Sequence, residues 1–167
     1  MAKKLQTPCA APKRGIPWEL KYDFAMKGYT NLGKGYLYAI REKYGAAAAL
    51  EMYEMVNKMG DRAKNFTNTI RTIFNLEGND AETIGQFFDI WAELTDQEVI
   101  ILERSKIVNR IKYIKCPYKT EPKDISDWCK IFGNIVNKTI NPTAILERPK
   151  GMCAGDSYCE FVWRIED

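Results

Sequence analysis

At Asp96 and Gln97 the hydrophobic pattern passes from helical spacing to alternation, and that change restricts the folds open to this chain. Before it, apolar residues recur at helical spacing. Leu20, Phe24, Tyr36, Ile40 and Tyr44 share one side of a helix predicted over 18–44, which Gly28, Gly33 and Gly35 are expected to break or kink within 30–35. Beyond Gly45, residues Met52, Val56, Met59, Ala63, Phe66, Ile70 and Ile73 follow alternating steps of four and three, predicting one long helix over 46–74. Asp80 is placed to cap a third helix, whose apolar side is Ile84, Phe87, Phe88 and Trp91. After Gln97 the period drops to two. Segments 98–104 and 106–115 predict an antiparallel hairpin turning at Ser105. In its second strand Asn109 and Arg110 give each face a polar residue, so partial exposure of both faces is expected. A helix over 124–138 stops at Asn141-Pro142. A short strand at 144–148 and a strand at 157–165 complete the order, and Cys159 shares its core-facing side with Phe161 and Trp163. Helices followed by a ββαββ half predict an α+β fold, with the N-terminal helices packed on a small antiparallel sheet.

Composition narrows the chemistry. The 167 residues include no histidine, which excludes a Ser-His-Asp triad, a Cys-His pair and any histidine-held metal or haem. Proton transfer is left to Asp, Glu, Lys, Tyr or Cys. The net charge of +3 is uneven: five bases and one acid, Glu19, fall at or before Tyr22. Residues 1–17 read as a flexible basic leader and 18–167 as one α+β small-molecule-binding domain. The leader lacks the apolar stretch of a secretory signal, and no apolar run nears the ~20 residues of a membrane span. A cytoplasmic protein with no membrane partner is the expectation. The near-neutral remainder argues against a nucleic-acid surface, and the apolar helix faces are compatible with a homodimer.

Of the five cysteines, Cys116, Cys129, Cys153 and Cys159 fall in the last third of the chain. Their spacing contains no C-x-x-C. Yet one ends a strand, one precedes a strand and one lies inside it, so the topology can bring them together. Converging thiolates would suit Zn²⁺, and Glu147 could act as a carboxylate ligand in place of Cys129. The other reading is four buried thiols packing as small hydrophobes. The stretch 151–161 is the densest in chemistry. Gly151 and Gly155 permit a tight loop, and Asp156 sits at the junction of loop and strand.

The tail Cys153, Gly155, Asp156, Cys159 and Phe161, with Arg148 before it and Trp128-Cys129-Lys130-Ile131 on the preceding helix, resembles the L-2-amino-thiazoline-4-carboxylate hydrolase-like family. The run Glu42-Lys43-Tyr44-Gly45-Ala46-Ala47 before a long helix is similar too. That resemblance implies a fold related to vinyl-4-reductase-like domains and to the ligand-binding domains of nitric-oxide signalling and Golgi-transport proteins. It also implies hydrolytic opening of a cyclic C=N compound of the thiazoline type. Cys129 would then be the nucleophile and Asp156 would move protons, with Arg148, Trp128 and Tyr158 holding the substrate. Related sensor domains hold a structural zinc, for which Cys116, Glu147, Cys153 and Cys159 would be the set here. The alternative is a ligand-binding or sensor domain without turnover, its aromatic- and Met-rich helices capping an apolar pocket over the sheet.

Overall fold

The computed structural model describes residues 17–116 and 122–166. The predicted leader therefore lies, except for Pro17, outside the described residues, as does Cys9. The chain divides into two compact units, residues 1–34 and 35–167. Of the first, the described part is the opening of helix α1 (Trp18–Tyr44). No break falls within 30–35: α1 is helical through Gly28, Gly33 and Gly35. A glycine costs a helix roughly 1 kcal/mol, which good helix formers such as Leu32, Lys34 and Leu37 can offset.

The long helix predicted over 46–74 is two helices, α2 (Ala46–Lys58) and α3 (Arg62–Ile73), parted by a turn at Met59–Asp61. Gly60 (φ 61°) and Asp61 (φ 54°) both adopt left-handed backbone there. The apolar stripe continues across the break, so periodicity alone could not reveal it; Gly60 was the available signal. Helix α4 (Ala81–Leu94) begins as anticipated, with the Asp80 carboxylate accepting from the Thr83 amide at 2.9 Å.

The second half is a four-stranded sheet: β1 (Glu98–Arg104), β2 (Val108–Lys115), β3 (Ala144–Lys150) and β4 (Cys159–Ile165), with α5 (Trp128–Ile140) between β2 and β3. The spatial order is β1-β2-β4-β3 and every pairing is antiparallel. The fold is α+β, as the change of period implied. Helix α5 starts at Trp128 and not at 124 because Lys123–Ile125 form a separate tight turn. Strand β3 runs on through Pro149 to Lys150; it is an edge strand, where a missing N–H is tolerated, and its register shifts after Glu147.

One face of the sheet is covered. Helix α4 packs on β1, β2 and β4, helix α5 packs on β3, and α2 and α3 lie against α5. Two glycines permit the close approach. A Cβ on Gly85 would meet the Asn109 amide at 2.5–2.8 Å, and one on Gly133 would meet Leu146 Cδ2 at 2.7 Å. The space between helices and sheet is filled by Ile84, Phe87, Phe88, Ile111, Phe161 and Trp163, with Phe88 stacked on Trp163 at 4.6 Å between centroids. Where an apolar pocket was expected beneath the helices, aromatic rings pack instead. The inner face of β2 is likewise more buried than its polar Asn109 suggested. Asn109 has no exposed surface, and its Oδ1 accepts from Arg104 Nε at 3.0 Å. A smaller core joins Leu37, Ala49 and Ile125. Among the described residues no helix is long and apolar enough to cross a membrane.

Candidate functional site

The antiparallel register brings the ends of β2 and β3 and the beginnings of β1 and β4 to the same end of the sheet, since Glu98 pairs with Lys115, Tyr113 with Cys159 and Lys150 with Glu160. The late cysteines arrive there by different routes. Cys116 follows β2, Cys129 lies in the first turn of α5, Cys153 is in the turn between β3 and β4, and Cys159 opens β4. Among the described residues no disulfide joins these four.

Arg148 is the centre of the buried part. Strand alternation points it to the helix side, and its side chain is only 8% exposed. The guanidinium donates to Ser126 O, to Ser126 Oγ at 3.3 Å, to Asp127 Oδ1 at 2.8 Å and to Cys129 Sγ at 3.0 Å. The Cys129 thiol in turn donates to Ser126 O at 3.3 Å. A guanidinium with these partners pins the start of α5 to the end of β3, and little of it is open to a substrate carboxylate. Burial pushes the Cys129 thiol above its ordinary pKa, and Arg148 only partly opposes this. Cys159 is raised for the same first reason, against the Met152 amide, which donates to its Sγ at 3.1 Å. Tyr113, buried opposite Cys159, is pushed well above the usual phenol range by burial and then by the neighbouring Asp89, Cys116, Cys129 and Cys159. At neutral pH Cys129, Cys159 and Tyr113 are therefore held in their protonated forms.

An open hollow lies at the same end of the sheet. It holds about 470 Å³ and is lined by Asp96, Ile114, Lys115, Cys116, Met152, Asp156 and Ser157. Lys115 Nζ lies 2.8 Å from Asp96 Oδ1. Asp156 Oδ2 accepts from the Gly151 amide at 2.8 Å and so closes the loop that forms one wall. Gly155, at φ 104°, supplies the left-handed turn this loop needs.

The residues singled out from the sequence are divided by this geometry. Arg148, Cys129 and Cys159 meet in the interior, while Cys116 and Asp156 line the hollow. Trp128 packs edge-on against Tyr53 at 5.5 Å, in the smaller core. Tyr158 lies against Lys112 and Lys150 on the face of the sheet opposite α4 and α5. Glu147 is also on that face, exposed and 3.8 Å from Arg164, because β3 alternation turns it away from the side that Cys159 faces. Among the described residues no three Cys, Asp or Glu side chains are arranged to hold a metal ion. Of the set Cys116, Glu147, Cys153 and Cys159, strand parity places Glu147 and Cys159 on opposite faces of the sheet.

Sequence reasoning missed Ser126 and Asp127, the partners of Arg148. It also missed Tyr113, Met152 and the Asp96-Lys115 pair. Only Tyr113 had a usable signal: it alternates with Ile111, and period two places it on the core side. No family model, curated protein or solved structure matches this chain.

Proposed function

We propose that this protein is a small-molecule-binding domain that does not turn its ligand over, and that the ligand occupies the hollow at the converging strand ends. The observation that carries this reading is the lining itself. A space of about 470 Å³ bounded by two carboxylates, an ammonium, a thiol and a thioether suits a small zwitterion. Asp156 is the counter-ion for a cationic end, since its engagement with the Gly151 amide uses one oxygen. Binding is favoured over covalent catalysis because the thiols behind the hollow, Cys129 and Cys159, are held neutral by burial, whereas a nucleophilic cysteine needs its thiolate.

The test uses 2-amino-thiazoline-4-carboxylate, the compound that the sequence resemblance implies. Calorimetric titration into the intact protein is expected to show saturable binding, weakened about tenfold in Asp156→Asn, which keeps an acceptor for Gly151 and removes the charge. Proton NMR of the same mixture is expected to show no product over hours. Steady ring opening would establish an enzyme and overturn the non-catalytic reading. Affinity unchanged in Asp156→Asn would remove the ligand from this hollow.

A further inference from the structure

The face of the sheet opposite α4 and α5 carries a cluster that the hollow does not use. Lys112 on β2 and Lys150 at the end of β3 are both register partners of Glu160 on β4, so they flank that residue on one face. Glu160 is the natural partner for either, but it is nearly buried and its Oε1 is held by Arg110 Nε at 2.6 Å. The two lysines turn instead to Tyr158. The Lys112 ammonium lies 4.1 Å from the ring centroid and that of Lys150 lies 4.6 Å from it. Among the described residues neither ammonium has a carboxylate within salt-bridge distance. An aromatic face attracts a cation but carries no net charge, so two positive charges converge on one neutral ring.

We propose that Lys112, Lys150 and Tyr158 form a binding site for a single phosphate group on the outer face of the sheet. The two ammoniums match the nearly two negative charges of a phosphate monoester at neutral pH, and lysine serves phosphate as a point charge. The remaining cations of this face are compensated: Arg164 lies near Glu147, and Arg110 has Glu160 and also feels Glu103. Arg110, Arg164, Lys112 and Lys150 thus face Glu103, Glu147 and Glu160, an excess of one positive charge, and the two cations without a carboxylate at salt-bridge distance among the described residues are the lysine pair. That pair is enough for one phosphate and is not the basic stripe that a nucleic-acid backbone requires. None of these three side chains lines the hollow, so the proposal stands apart from the function proposed for it.

The experiment follows the Tyr158 ring resonances of the full chain by NMR while inorganic phosphate is added at constant ionic strength. A parallel titration uses ribose 5-phosphate. Saturable shifts are expected in the millimolar range or below, absent with chloride alone, and weakened about tenfold in Lys112→Gln and in Lys150→Gln at unchanged melting temperature. Equal affinity for the two compounds identifies free phosphate as sufficient, and tighter binding of the ester identifies a phosphorylated metabolite as the ligand. No saturable shift with either compound, or affinities unchanged in both variants, would overturn the proposal.

Discussion

Arg148 is a side chain whose partners the sequence did not disclose. The family resemblance implies that it clamps a substrate carboxylate, while in the structure its fork is taken up by Ser126, Asp127 and Cys129. Those partners follow a turn whose course the sequence does not announce, so nothing local indicated that the guanidinium would face inward. Replacing Arg148 by Met is expected to cost about 2 kcal/mol in urea unfolding, the scale of losing hydrogen bonds to a charged group. Arg148→Lys restores less than half of that, because an ammonium cannot reproduce the fork. The thiols give a pH test. Folding holds Cys129 and Cys159 protonated above the ordinary thiol pKa, so between the unfolded and folded values the native state binds more protons. Stability is therefore expected to be full below the ordinary thiol range and to fall as pH rises through the folded values. Alkylation of both residues by iodoacetamide in the native protein should lag that of the unfolded chain across the same range.

At the scale of elements, the two contact glycines separate effects that sequence leaves merged. Gly85 faces the amide of Asn109, which Arg104 fixes, and Arg104 is itself held by both oxygens of Asp89. Gly133 meets the far end of Leu146, with Phe88 Cζ at an ordinary 3.9 Å. Gly85→Ala is expected to destabilise by about 2–3 kcal/mol and Gly133→Ala by about 1 kcal/mol, with the difference read from chemical denaturation. Removing the α4 cap by Asp80→Ala should cost about 1 kcal/mol. Burial alone would raise the Asp80 carboxyl, but the Thr83 amide and hydroxyl outweigh it and hold the group below the usual carboxylate range. This cap therefore contributes above the ordinary carboxylate pKa and is lost as pH falls through the lowered value; the pH dependence of Asp80→Ala should be correspondingly flatter in acid. Element types were legible because period and caps are local properties. The break at Gly60 was less so, since the apolar stripe crosses it unchanged.

At the scale of the whole molecule, the placement of Cys116 and Cys159 at one end of the sheet was legible from their positions at strand ends. What each of them does there was not. Strand parity separates Glu147 from Cys159, burial neutralises Cys129 and Cys159, and the expected apolar pocket is filled by Phe87, Phe88, Phe161 and Trp163. These outcomes depend on how layers meet, which a linear pattern does not encode. A hollow open to a ligand lies beside Cys116, Met152 and Asp156. The most direct measurement is a ¹³C-methyl-methionine NMR titration of the intact protein with 2-amino-thiazoline-4-carboxylate. A saturable shift is expected for the Met152 methyl and not for Met52, Met55 or Met59, which lie outside the hollow's lining on α2 and the turn after it. A Met152 methyl that stays fixed while the compound demonstrably binds elsewhere would contradict the account.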